Sequence, residues 1–234
     1  MLVTDYFARL SYGPLSNLSL SGEGSGTINT TQHNKLIEHL NTGLQKLYSR
    51  FVLREKNAIV EQYAHITFYH LDKRYAKENP VRPTDNTPYL IDLPAEPFED
   101  DVLRILNVYD EYGVDRLNLS PDYRMKIYSP FPNTIQVVDP LQGRPLSVVY
   151  QANHRKLEFG VINAEITLPS VLESALISYV AYLVYGDMNT EGSLLSAQRH
   201  LGDYEKMCAT IELNGSTGVD ISPDIQVFHK RGWI

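Results

Sequence analysis

The spacing of apolar positions divides the chain into a helical start, a strand-rich middle and a helical end. Leu36, Leu40, Leu44 and Leu47 recur at steps of four, four and three, with Ile37 and Tyr48 beside them. Such a stripe lies down one face of a helix, and Thr30 or Thr31 is placed to cap its start. The same period returns in Ser170 to Asp187, where Val171, Leu172, Ala175, Leu176, Tyr179, Val180, Leu183 and Val184 form a wide apolar face behind Pro169. Proline fits the first helical position, where its missing N–H is not needed. A last helix, from about Glu191 to Glu212, sets Leu194, Ala197, Leu201, Tyr204, Cys208 and Ile211 at steps of three or four. The short connection Gly186-Asp187-Met188-Asn189 predicts that these two helices run antiparallel.

Between the helices the period shortens. Asn57 to Leu71 is rich in β-branched and aromatic residues and reads as strand, and Asp72 to Thr87 as a polar, proline-bearing loop. The pieces YLIDL, VLRILNVYD, MKIYS, TIQVVD and LSVVYQA follow, separated by Pro, Gly, Asn and Asp turn signals. Short strands at that spacing predict a small antiparallel sheet or barrel. Ser11 to Asn29 is Ser-, Gly- and Asn-rich and reads as a loop, and the chain beyond Asn214 has no helical period. The expected architecture is α+β: a helical bundle built from N- and C-terminal helices, an inserted antiparallel β-sheet or barrel domain, and an extended C-terminal tail. The expected boundaries are 1–53, 54–166, 167–213 and 214–234.

With 43% hydrophobic and 21% charged residues over 234 positions, the composition is that of a globular protein able to bury its own core. A formal net charge of −7 excludes a protein that grips nucleic acid over its whole surface. The single cysteine excludes an intrachain disulfide and a cysteine-based metal site. The first ten residues lack a basic region followed by an apolar run, and no stretch approaches the ~18 apolar residues of a spanning helix. The expectation is a soluble, unexported chain with no membrane partner.

Candidate chemistry is sparse. Gly22-Glu23-Gly24-Ser25-Gly26 lacks the lysine of a phosphate-binding loop and the preceding strand of a dinucleotide fingerprint. Glu96, Glu99, Asp100 and Asp101 fit neither a calcium loop nor a carboxylate dyad and read as a solvated acidic loop. The histidines at 33, 39, 65, 70, 154, 200 and 229 form no HExxH element, and His65 and His70 would face opposite sides of one strand. There is no GxSxG, and Cys208 falls on an apolar helix face. No catalytic residue, metal or cofactor is expected. Sixteen tyrosines stand against seven phenylalanines, and tyrosine and tryptophan are the residues favoured in interface cores. Tyr179, Tyr182 and Tyr185 cannot all face one bundle interior, so at least one is expected to be outward. The tail supplies the expected partner-binding residues Ile225, Val227, Phe228, Arg231, Trp233 and Ile234, docking by strand addition or in a groove; the alternative is a tail folded back on its own domain.

Several stretches taken in order resemble the head-to-tail adaptor, or connector, proteins of tailed bacteriophages. They are HLNTGLQKLYSRFVLREK, YSPFPNTIQVVDP with PLSVVYQANH, LPSVLESALISYVAYLVYG, HLGDYEKMCATI and the terminal QVFHKRGWI. The resemblance spans nearly the whole chain. It implies a non-enzymatic virion protein of the neck, assembled in the host cytoplasm as a homo-oligomeric ring, commonly a dodecamer. The implied partners are the portal protein, a tail or nozzle protein and double-stranded DNA passing through the lumen without sequence-specific binding. An acidic balance suits a wall along which DNA must slide. Two alternatives stay open: another tail-completion or tail-tube component, and a carbohydrate-binding or -cleaving accessory domain, which would require two carboxylates about 5–9.5 Å apart in a cleft.

Overall fold

A computed structural model describes residues 1–20, 25–79, 86–91, 97–117 and 126–215. The chain is α+β and divides into two compact units. The first joins Met1–Leu53 to the described chain from His154 onward, and the second is formed by Arg54–Asn153.

The first unit holds α1 (Val3–Tyr12), α2 (His33–Arg50), α3 (Ser170–Asp187) and α4 (Glu191–Asn214). Helix α1 was not expected. Val3, Tyr6, Phe7 and Leu10 repeat at one, four, five and eight, all of them buried, and the Asp5 carboxylate accepts the Leu2 N–H at 2.9 Å to close the first turn. Helix α2 starts after a 3-10 turn at Thr30–Gln32, and neither threonine caps it. Its expected stripe is the buried one: Leu36, Ile37, Leu40, Leu44, Leu47 and Tyr48. Pro169 stands one position earlier than expected, at the N-cap of α3. Helix α4 ends on Gly215 at φ +59°, a left-handed cap open to glycine. At its start Thr190 and Ser193 bond each other's backbone N–H, which turns Ser193 inward and leaves Leu194 exposed, against expectation. Helix α3 packs against α1, α2 and α4. It buries Leu172, Ala175, Leu176, Val180, Ala181 and Val184, while Tyr179, Tyr182 and Tyr185 are all half-buried.

The second unit contains two antiparallel sheets rather than a closed barrel. One has strand order β3-β1-β7-β4, from Leu90–Ile91, Glu55–Glu61, Pro145–Ala152 and Val102–Tyr109; the other has order β2-β6-β5, from Phe68–His70, Thr134–Val137 and Ile127–Phe131. The expected single strand over 57–71 is thus two strands in different sheets, parted by a turn at Ala64-His65. Both sheets feed one core that includes Val60, Tyr69, Tyr89, Val108, Ile135, Val148 and Tyr150. In the smaller sheet Tyr69, Ile135 and Ile127 are buried, while Phe68, Gln136 and Tyr128 share a row across its outer face; Thr134, of the same parity as Gln136, is buried all the same.

Residues 154–166, expected in the β domain, belong with the helices. Val3 N–H bonds the Ala164 carbonyl at 3.0 Å, Leu2 bridges Glu165, and the Asn41 side chain on α2 bonds both the N–H and the carbonyl of Leu157. Backbone satisfaction draws this segment to the N-terminus instead of to a sheet.

Candidate interaction surfaces

The expected partner-binding residues Ile225, Val227, Phe228, Arg231, Trp233 and Ile234 lie outside the described residues, as do His229, Glu96 and Gly22–Gly24. Gly26 is described: it takes φ +83° against the Tyr12 ring, and its N–H bonds Ser11 Oγ at 3.1 Å. That glycine serves a close turn.

Glu99 and Asp100 lie exposed in irregular chain, as expected of a solvated loop, but Asp101 is drawn into an ion cluster. Lys56 Nζ stands 2.7 Å from Glu99 Oε2 and 2.6 Å from Asp101 Oδ2, with Lys56 and Asp101 both nearly buried and Arg54 3.9 Å from each acid. Tyr150 Oη donates to Asp101 at 3.2 Å, and burial, reinforced by that carboxylate, pushes the phenol far up. Asp100, at φ +58°, accepts the Lys73 N–H at 2.6 Å. Burial raises the Asp100 carboxyl, while the Arg74 guanidinium, bonded side chain to side chain, holds Asp72 low. Carboxylates set apart in this way can divide acid and base roles, but here each is engaged by a local turn, Asp72 by Arg74 and Asp100 by the Lys73 backbone.

The described histidines are drawn into structure. His65 lies in the turn and His70 in β2, where its Nδ1 meets Thr134 Oγ1 at 3.0 Å, so they do not share a strand as expected. His33 bonds the Ile28 carbonyl, His154 accepts the Thr167 N–H, and His200 stacks on Tyr185. His39 on α2 sits 3.1 Å from Asp187 Oδ2 at the end of α3, with Lys35 3.0 Å from the same oxygen. Among the described residues no group of three or more His, Cys, Asp or Glu is placed to hold a metal ion. Cys208 is buried, and burial raises its thiol. No described helix is long and apolar enough to cross a membrane.

Among the outward apolar groups, three sets stand out. In the helical unit, Met188, Leu194 and Leu195 are exposed at the α3–α4 turn. In the β unit, Phe68 and Tyr128 lie on the outer face of the smaller sheet, Lys126 Nζ sits 5.4 Å over the Tyr128 ring, and Phe131 is 60% exposed at the end of the β5–β6 hairpin. The third set lines a cleft of about 280 Å³ in the β unit. Ile127, Val137 and Leu146 form its floor, and the turns 110–114 and 139–144 form its lips. Sequence reasoning passed over this cleft because its walls come from four separated segments.

The sequence matches no protein-family model and no curated protein.

Proposed function

We propose that the chain is a structural, non-enzymatic subunit of a head-to-tail adaptor ring that joins a portal vertex to a tail and extends the DNA channel. The observation that carries the reading is the order of units. Two helices from the N-terminal part and two from the C-terminal part share one unit, and the unit Arg54–Asn153, which holds two antiparallel sheets, is inserted between them. The resemblance implies a helix, a β insertion, a helical pair and a tail, and the described residues follow that order up to the tail, with one further N-terminal helix, α1. The outward apolar groups support it further, since a closed ring needs two different patches that meet between neighbours. In this reading the tail binds the portal or a neighbouring subunit, and DNA passes through the lumen without sequence-specific contact.

The carbohydrate reading draws less support. Three carboxylates line the cleft, and two of them are already engaged, Asp110 by Arg116 at 2.6 Å and Glu111 by Arg144 at 3.1 Å, which leaves Asp139 without the second unpaired carboxylate that sugar cleavage needs. A tail-tube component would share the strands, but the long pair α3 and α4 favours the adaptor.

The test is the mass of the purified protein alone and after mixing with its cognate portal ring, by sedimentation or single-particle weighing. The expected result is a discrete gain of about twelve 26.6-kDa subunits on the portal. No gain at any salt concentration refutes the adaptor reading.

A further inference from the structure

The cleft in the β unit offers about 280 Å³ over an apolar floor of Ile127, Val137 and Leu146, room enough for an aromatic side chain. An aromatic ring seated there would cover the exposed Tyr112 and Leu141 side chains above that floor.

Charge on the lips is asymmetric. The Asp110 carboxylate is fully used: Oδ1 accepts the Tyr112 and Val114 N–H groups, and Oδ2 holds Arg116. Glu111 holds Arg144 at 3.1 Å. Asp139 is exposed and makes no ion pair with a described residue, so three carboxylates face two guanidinium groups and the excess is one negative charge. Tyr112, 74% exposed, and the exposed Leu141 stand on opposite lips as apolar walls. The complementary occupant is an aromatic side chain beside a basic one. The sequence contains that combination at Phe228-His229-Lys230-Arg231-Gly232-Trp233, with two cations and no acid between two aromatic residues.

We propose that this cleft receives segment 228–233 of a neighbouring copy of the chain, an aromatic ring on the apolar floor and Lys230 or Arg231 against Asp139. A cleft and a tail are different surfaces, so their pairing is heterologous and propagates from copy to copy, as ring closure requires. The inference rests on the ring reading and names which contact of the tail serves it.

The test uses the full-length chain, kept dilute and checked as monomeric, and a labelled synthetic peptide of residues 225–234. Trp233 is the only tryptophan, so its emission in the chain reports the state of the chain's own tail. The expected result is saturable peptide binding that Asp139→Lys or Leu141→Glu weakens tenfold or more, both substitutions lying at exposed positions. A peptide carrying Lys230→Glu and Arg231→Glu should bind the Asp139→Lys chain better than the unaltered peptide does. Absence of binding, or binding that these cleft substitutions leave unchanged, overturns the proposal and leaves the ring to stand or fall on the mass measurement. Trp233 emission already blue-shifted in the dilute monomer, and red-shifted by Leu141→Glu, shows a tail docked on its own cleft and overturns the assignment to a neighbour.

Discussion

Gly43 lies in the middle of α2, where helix propensity alone says that alanine is better by about 0.5–1 kcal/mol. The structure reverses that sign. A Cβ at Gly43 would lie 2.6 Å from Leu176 Cδ1 and 3.4 Å from Tyr179 Cδ1 on α3. Leu176 is fully buried, so its methyl group has packed neighbours behind it and cannot simply swing away. Forcing one extra carbon into such a contact costs about 1–3 kcal/mol, and subtracting the propensity gain of about 0.5–1 kcal/mol leaves Gly43→Ala destabilising by up to about 2.5 kcal/mol, with no net gain at the lower end. Gly202 is the control: it lies inside α4 with nothing within 4 Å of its would-be Cβ, so Gly202→Ala should stabilise by about 0.5–1 kcal/mol. Thermal unfolding followed by helical circular dichroism resolves the two, at roughly 2–8 °C per kcal/mol for a unit of this size. Combining Gly43→Ala with Leu176→Ala isolates the contact, because the methyl should then be neutral or favourable relative to Leu176→Ala alone. If Gly43→Ala raises the midpoint as Gly202→Ala does, the close approach of α2 to α3 is wrong.

Two buried tyrosines should respond oppositely to loss of the hydroxyl: Tyr48→Phe removes a 2.5 Å bond to the Thr167 carbonyl and should cost about 1 kcal/mol, whereas Tyr6 Oη is buried with no hydrogen-bond partner among the described residues. Tyr6→Phe should therefore be neutral or stabilising in urea titrations, and equal losses at both sites would refute the distinction. Lys56→Met leaves the nearly buried Asp101 without its 2.6 Å cation and should cost about 3 kcal/mol, as breaking buried pairs does; a loss below about 1 kcal/mol would mean that Arg54 and solvent already carry that charge. Burial lowers His39, against the opposing pull of Asp187, and burial likewise lowers His200. The unfolded chain then takes up protons first as pH falls, so stability is full above the unfolded value near 6.5 and is lost as pH falls from there towards the folded values. Replacing both with Asn should flatten the change in unfolding midpoint between pH 7 and 5, and an unchanged slope would assign it to other groups.

The parts of the fold that were legible in the sequence are those whose burial is periodic. Helices α2, α3 and α4 each draw a stripe that the core fills, so their positions followed from spacing alone. Helix α1 carries the same signal in Val3, Tyr6, Phe7 and Leu10, but ten residues weighed only as a possible export leader hide it. In the middle of the chain, composition announced strands without saying which strands pair. The register joining Lys56 to Tyr150 and Phe68 to Gln136 spans 94 and 68 residues, and alternation within one strand holds no record of its partner. Two open sheets and a barrel are therefore indistinguishable from pattern. The ion cluster within the acidic run was hidden for the same reason: Lys56, which pairs with Glu99 and Asp101, is 43 and 45 positions away. The cleft was invisible because its floor and lips come from β5, β6, β7 and two turns.

Tyrosine abundance, which in the sequence points towards interfaces, has a different main use in the structure. Tyr69 Oη donates to the Tyr63 carbonyl and accepts the Tyr63 N–H, and Tyr89 Oη does the same for His70. Tyr48 and Tyr150 tie down Thr167 and Asp101. These rings bury apolar area while their tips satisfy polar groups at strand ends and in irregular segments, which phenylalanine cannot do. A surplus of tyrosine over phenylalanine is thus explained by the short strands and long connections of the β unit before any partner is invoked. The rings left for association are the outward ones, and Tyr112 on the cleft lip separates the two uses most sharply. Its side chain holds up nothing beneath it, so Tyr112→Ala should leave the unfolding midpoint within about 1 kcal/mol of the parent while weakening association between copies. Tyr69→Ala should do the reverse to the midpoint, at about 3–5 kcal/mol, by emptying the core and orphaning the Tyr63 backbone. If Tyr112→Ala unfolds the chain, the lip is part of the core and Tyr112 is a structural residue.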